Sequence, residues 1–281
     1  MDVVISESRI DQLIAEDVPY VDLTTELLGM GAKQGRIRFI TREDCVLCGT
    51  EVALRVLERL GVTPVSWQPS SAQVAAGECF CVAEGPAASL HKAWKVCLNL
   101  FDHLSAVATL TRTIVDAAHS ANPACPVLTT RKSMPGCKDL LTLAVTAGGA
   151  VPHRLGLSET VLVFDNHYLF LGGFEGLLDV LPRVKAECIE KKIFVECDAQ
   201  QALQLARVGV DGIQFEKLPP EELCAAVQQV RAINPHISLV AAGGINAKNA
   251  ADYAATGVDG LVTTAPFSAK PLDMTAKMEM L

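Results

Sequence analysis

IFVECDAQQALQLARVGVDGIQFEK, residues 193–217, holds two short apolar runs, IFVECD (193–198) and GIQFEK (212–217), with a helix-like stretch between them. Each run closes on ionisable residues, Glu196 and Asp198 in the first and Glu216 and Lys217 in the second. The segment reads as strand, helix, strand, with the two strands parallel. Four further runs of the same kind surround it: VLTTRK (127–132), TVLVFDNH (160–167), SLVAAGG (238–244) and GLVTTA (260–265). Helix-like stretches separate all six, which predicts an α/β barrel built around a parallel sheet. In such a barrel, reactive side chains sit where strands end and loops begin. Arg131, Lys132, Asp165, His167, Glu196, Glu216, Gly243 and Gly244 are therefore expected on one face. Cations and carboxylates sharing one mouth are the layout of an enzyme.

The pattern changes near residue 110. Before it, residues 7–16 and 50–60 read as helices, 36–43, 45–49 and 78–85 as strands, and 87–111 as a long helix. This predicts an N-terminal α/β sandwich domain over 1–110, followed by an open α/β barrel over 111–265 that carries the active site. The segment 266–281 is free to pack back on the first domain.

Composition agrees with that plan. The 281 residues suffice for a barrel and a smaller domain, and half are apolar while only 5% are aromatic. Buried parallel strands are built from such Ala, Val, Leu and Ile. No signal-like run opens the chain, and no stretch reaches the ~20 apolar residues that span a membrane. The ten cysteines are scattered, as in chains that stay reduced in a cytosol, so a cytoplasmic protein is expected. A formal net charge of −8 argues against a nucleic-acid or anionic-membrane binder. It leaves small anionic ligands open, because a local cationic pocket dominates within a Debye length of about 8 Å.

Three constellations carry chemistry. TTRKSMPGC (129–137) places Arg131 and Lys132 at a strand end. Arg offers a bidentate fork for carboxylate or phosphate, and Lys a mobile point charge. A solvated basic turn is the plain alternative, and a Schiff-base role for Lys132 would need a desolvated amine. GGAVPHRLGLSETVLVFDNH (148–167) brings the donor pair His153 and Arg154, then Asp165, Asn166 and His167. His153 beside cations is better suited to a neutral donor than to a base. His167 is equally open to a structural role. The third set joins Glu196 and Glu216 to AAGGIN…VTTAP. The carboxylates suit Mg²⁺ or sugar hydroxyls, and Gly243, Gly244, Thr263 and Thr264 suit a phosphate cup after the last two strands. Solvated loops with tight turns are the alternative. Cys45-x-x-Cys48 and Cys79-x-Cys81 mimic four zinc ligands, but their apolar strand contexts read as buried thiols.

These residues resemble the quinolinate phosphoribosyltransferase (nicotinate-nucleotide pyrophosphorylase) family. The resemblance runs through DLTTELL (22–28), VLCGTEVA, AEGPAASL, LNLFDHLSAVAT, TTRKSMPG, GGAVPHRLGL, VFDNH, FVEC and AAGGI…YAATGVDG, in unbroken order over residues 17–265. Trp94-Lys95 and GGAVPHRLGLSETVLVF resemble the ModD branch, pyrophosphorylases associated with molybdenum-transport genes. The resemblance implies a phosphoribosyl pyrophosphate substrate with Mg²⁺, which Glu196 and Glu216 would hold through the substrate. It assigns Lys132, Glu196 and Glu216 to catalysis. Arg131, His153 and Arg154 would receive a pyridine carboxylate, Glu196 would lie beside the ribose, and Gly243 and Gly244 in the phosphate loop. It also implies a homodimer or an assembly of dimers, with Lys95 reaching the neighbour's site.

The sequence departs from the family pattern mainly on the acid side. Phe164 stands where the family motif LIKDNH has its lysine, Lys95 and Thr146 stand at family arginines, and Pro152 at an asparagine. Glu216-Lys217 replaces an acid and amide, and Thr264 a glycine near the phosphate. Charge-assisted hydrogen bonds contribute ~1.5–3 kcal/mol each, so these losses should weaken binding of the quinolinate dianion. Transfer to a less anionic, pyridine-carboxylate-like acceptor is expected. A true quinolinate enzyme of NAD biosynthesis, or a non-catalytic binder of an oxyanion such as molybdate, are the alternatives.

Overall fold

A computed structural model describes residues 3–281. The described residues form two compact units, one of residues 3–112, 133–149 and 266–281, the other of 113–132 and 150–265.

In the first unit, α1 (Glu7–Asp17) starts where the Ser6 side chain accepts from the Arg9 amide, and α2 (Leu23–Leu28) where Asp22 accepts from that of Thr25. Such caps satisfy amides that the first turn leaves free. There follow β1 (Gln34–Ile40), β2 (Cys45–Val46), α3 (Thr50–Arg59), β3 (Thr63–Trp67), β4 (Gln73–Val74), β5 (Cys79–Pro86), α4 (Ala87–Ala121), whose residues from 113 onward belong to the second unit, and α5 (Lys138–Ala147). The closing strand, Thr275–Met280, is β13 in chain order. An antiparallel sheet runs β13-β1-β5-β3, so the C-terminal segment is a sheet strand paired with β1. Period-2 alternation turns Ile37 and Phe39 of β1 inward. Phe39 and Phe80 meet Phe101 of α4 edge-on, with ring centroids 5.2 and 4.9 Å apart. Edge-to-face pairs contribute about 0.5–1.5 kcal/mol beyond area burial.

The partition differs from a single break at residue 110, because α5 belongs to the first unit. Polar contacts hold it there: Arg9 Nη2 donates to the Gly136 carbonyl at 2.8 Å, and Arg9 Nε pairs with Asp139 at 3.2 Å. Of the four cysteines with zinc-like spacing, Cys45, Cys48 and Cys81 are buried and Cys79 is exposed. Burial pushes the Cys48 and Cys81 thiols up to about 12.

The second unit contains β6 (Val127–Thr129), β7 (Val151–Pro152), β8 (Val161–Val163), α6 (Asp165–Tyr168), α7 (Phe174–Glu187), β9 (Ile193–Cys197), α8 (Ala199–Val208), β10 (Gly212–Glu216), α9 (Pro220–Ile233), β11 (Ser238–Ala242), α10 (Ala250–Ala254) and β12 (Gly260–Thr263). Seven strands pair in the order β7-β6-β12-β11-β10-β9-β8, all parallel. The sheet is a barrel left open between β7 and β8. Ile193, Val195, Ile213, Phe215, Leu239, Ala241 and Leu261 are buried on one face. Val240, Ala242 and Val262 cluster on the other with Leu128 and Phe194, and fill the interior. Parallel pairing brings every strand's C-terminal end to one rim, which is where chemistry can be assembled. Among the described residues no helix is long and apolar enough to cross a membrane.

Candidate active site

The rim gathers the cations first. Arg131 and Lys132 follow β6 and are exposed, and the Lys132 amide donates to Thr130 Oγ1 at 3.2 Å. His153 follows β7, its amide donating to the Thr129 carbonyl at 2.9 Å, which fixes the turn against β6. The His153 ring meets Phe194 edge-on at 6.2 Å. Burial, and secondarily the charge of Arg154, hold the His153 pKa below the ordinary histidine value. Both effects favour the neutral imidazole over the imidazolium. Burial and the neighbouring charge of Arg131 also lower the pKa of Arg154, while Glu159 opposes them. Two guanidinium groups that feel each other this way form a concentrated positive field.

Phe164, at the end of β8, lies beneath that field. Arg154 Cζ is 5.8 Å from its ring centroid, and His167 stacks on it at 5.7 Å. His167 Nδ1 accepts from the Phe164 amide at 2.9 Å, a local bond that braces α6. Its role here is to hold the turn.

The carboxylates face the cations. Glu196 on β9 is half-buried, and Oε2 accepts from Gln214 Nε2 at 2.6 Å. Burial raises the Glu196 pKa above the usual carboxylate value, Gln214 opposes that, Glu216 and Asp165 add to it, and Lys132 opposes it. Glu216 ends β10 and pairs with Lys217 Nζ at 3.2 Å.

The loops after β11 and β12 complete the rim. Gly243 and Gly244 have φ of +90° and +76°. A Cβ at Gly243 would come within 2.5 Å of Lys217 Cγ, whereas one at Gly244 would meet open space. Only glycine takes this backbone freely, and it bares the amides. Asn246 and Asn249 brace the loop through the Gly244 carbonyl at 2.9 and 3.2 Å. Buried Thr263 donates to the Ile245 carbonyl at 2.6 Å and accepts from the Ala265 amide at 3.0 Å, so its hydroxyl ties the two loops together. Thr264 bonds Thr130 across the rim at 2.8 Å. Lys95 lies on α4 in the first unit, exposed, with Nζ 5.0 Å from the Trp94 ring centroid.

Two family profiles match nearly the whole chain: the N-terminal domain of quinolinate phosphoribosyl transferase over residues 22–105 and the C-terminal domain over 107–277. The chain belongs to the quinolinate phosphoribosyltransferase family. It is a phosphoribosyltransferase with a small sheet domain and an open parallel barrel. It is 40% identical to a candidate pyrophosphorylase named ModD from Rhodobacter capsulatus, over 88% of this chain and 95% of that one. It is 32% identical to the nicotinate-nucleotide pyrophosphorylase (carboxylating) of Mycobacterium leprae, over 92% of each chain. The structure of the nicotinate-nucleotide pyrophosphorylase from Francisella tularensis matches with a TM-score of 0.87 at 25% identity, over 96% of this chain and 94% of that one.

In this phosphoribosyltransferase the barrel residues singled out from the sequence lie at strand ends or in the loops that follow them: Arg131, Lys132, His153, Arg154, Phe164, Asp165, His167, Glu196, Glu216, Gly243, Gly244, Thr263 and Thr264. The rim also contains two groups that sequence reasoning passed over as site residues. Gln214 is buried beside Glu196, and Lys217 lies across Gly243 with a positive φ of 56°. The signal for Gln214 was a lone polar residue inside the apolar run GIQF, and for Lys217 a cation directly after the strand-end acid.

Proposed function

We propose that this phosphoribosyltransferase joins the phosphoribosyl group of phosphoribosyl pyrophosphate to a ring nitrogen of a pyridine-carboxylate-like acceptor less anionic than quinolinate, releasing pyrophosphate. One observation carries this reading: the Arg154 guanidinium rests over the Phe164 ring at 5.8 Å. By resemblance a family lysine belongs at Phe164, so an aromatic wall takes the place of a cation. Such a wall accommodates one carboxylate on Arg131 and Arg154 but offers nothing to a second.

Arg131, Arg154 and neutral His153 hold the acceptor carboxylate and ring, as fork donors and an imidazole N–H do. The bare amides at Gly243 and Gly244 take the 5′-phosphate, as glycine turns ahead of short helices do. Glu196 and Glu216 face the ribose, where positive charge develops as the bond to pyrophosphate breaks. Fixed carboxylates placed at that charge stabilise it without reorganising. Lys132 offsets the leaving pyrophosphate, and the acceptor nitrogen attacks the anomeric carbon. Holding both reactants in line supplies the rest of the acceleration. Mg²⁺, when bound with the substrate, supplies charge neutralisation on the pyrophosphate. Glu196 and Glu216 are the residues that would hold it, through the substrate. Lys95 completes the site of a neighbouring subunit in a homodimer.

The name of the Mycobacterium leprae relative favours a second reading, the carboxylating reaction on quinolinate itself. A thermal-shift panel separates the two. Phosphoribosyl pyrophosphate with monocarboxylate pyridines should stabilise the protein, by about 2.7 kcal/mol at 100 times Kd. Quinolinate should add little. Stabilisation by quinolinate with carbon dioxide release would establish the carboxylating reading, and a response to molybdate alone would displace both.

A further inference from the structure

Gln214 stands third in β10, directly opposite Glu196 of β9 in the parallel ladder and opposite Val240 of β11. Its chain neighbours Ile213 and Phe215 are buried on the other face, so strand alternation places Gln214 on the barrel-interior face with Glu196. The side chain is only 5% exposed. Nε2 donates to Glu196 Oε2 at 2.6 Å, while Oε1 is buried with no partner. A buried amide acceptor left unused is uncommon, because nothing offsets its lost hydration. The next interior position on β10 is Glu216, at the rim. The unused oxygen therefore lies level with Glu196 and one strand step below Glu216.

We infer that Gln214 and Glu196 act as one unit for ribose hydroxyls: Gln214 fixes one carboxylate oxygen, and its own carbonyl accepts from a hydroxyl of the bound sugar. This deepens the phosphoribosyl reading and rests on it. The chemistry of the carboxamide explains the choice of residue. A lysine or arginine here would hold Glu196 equally well but cancel the negative charge wanted at the ribosyl centre. An aliphatic residue would leave the half-buried carboxylate without its donor. An amide donates without neutralising and still has an acceptor to offer. Two adjacent acceptors, one on each side chain, match the two neighbouring hydroxyl donors of ribose.

Gln214 is thus a positioning residue for Glu196 and a contact for the sugar.

Gln214→Met keeps the bulk and removes the carboxamide, and its melting curve shows whether it is folded. Calorimetry with ribose 5-phosphate and 2-deoxyribose 5-phosphate tests the sugar contact, with inorganic phosphate as control. The wild type should prefer the ribose compound roughly tenfold, the scale of one well-placed hydrogen bond. Gln214→Met should lose that preference while binding inorganic phosphate unchanged. A preference that persists in Gln214→Met, or is absent from a wild type that binds both sugars, overturns the role of Gln214 alone. A wild type that ignores ribose 5-phosphate overturns the phosphoribosyl reading along with it.

Discussion

Arg154 and Phe164 form a cation–π pair across the gap of the open barrel, 5.8 Å from guanidinium carbon to ring centroid, one on the loop after β7 and the other at the end of β8. β7 and β8 are the two edges of the sheet, so this contact spans its opening. Pairs of this kind contribute about 0.5–1 kcal/mol when exposed and more when desolvated. Arg154 is thereby oriented by an aromatic face.

Phe164→Lys should convert that attraction into repulsion between two cations and release Arg154 from the ring. The acid side of the rim then regains a charge. We expect quinolinate-dependent pyrophosphate release, negligible in the wild type, to become measurable in Phe164→Lys, and to rise further with Lys95→Arg. Phe164 is half-buried, so the melting temperature should fall by a few degrees at most, about 2–4 °C per kcal/mol in a large domain. Efficient quinolinate turnover by the wild type would contradict the altered-acceptor reading, and a collapse in melting temperature would make Phe164 a core residue.

Gly243 and Gly244 should respond differently to alanine. Both have positive φ, at a cost of about 1–2 kcal/mol for an L residue. At Gly243 the new Cβ also meets the Lys217 backbone nitrogen at 2.9 Å, whereas at Gly244 it enters open space. Gly243→Ala should therefore lower the melting temperature by several degrees more than Gly244→Ala. Gly244→Val should weaken binding of phosphoribosyl pyrophosphate by calorimetry with the fold retained. Equal melting losses for the two alanine variants, or unchanged affinity in Gly244→Val, would remove these glycines from their assigned roles.

His153 gives a pH test with a definite sign. Burial and Arg154 hold its folded pKa below 6.5. Below pH 6.5 the unfolded chain takes up a proton that the folded protein refuses, so stability falls as pH drops from there through the folded value. Denaturant unfolding should show this loss in the wild type and not in His153→Gln. Imidazole NMR should place the His153 midpoint below 6.5, and Arg154→Gln should raise it only in part, since burial is the larger cause. A wild-type midpoint above 6.5 would make His153 a cation at the site.

Lys95 can be assigned by mixing. Lys95→Ala and Glu196→Ala proteins should each be inactive, and subunit exchange between them should restore activity if one site draws on two chains. Activity no greater than the sum of the parts, in mixtures shown by mass spectrometry to have exchanged, would confine Lys95 to its own chain.

Local pattern was enough to read six of the seven barrel strands and the rim residues that end them, because burial on a strand is written in consecutive residues and strand ends are marked by polar breaks. β7 escaped, since Val151–Pro152 is two residues long and shows no alternation. β3, largely exposed along Thr63–Trp67, and the two-residue β4 escaped for similar reasons. That Thr275–Met280 is a strand at all depended on β1, to which it is hydrogen-bonded. The meeting of Gln214 with Glu196, Phe164 with Arg154 and Lys217 with Gly243 was likewise decided only in three dimensions. Each joins residues of different strands or of the loops that follow them. Hydrophobic periodicity specifies which face of a strand is buried, but the register between strands comes from long-range hydrogen bonding and packing, and it is register that selects which side chains touch.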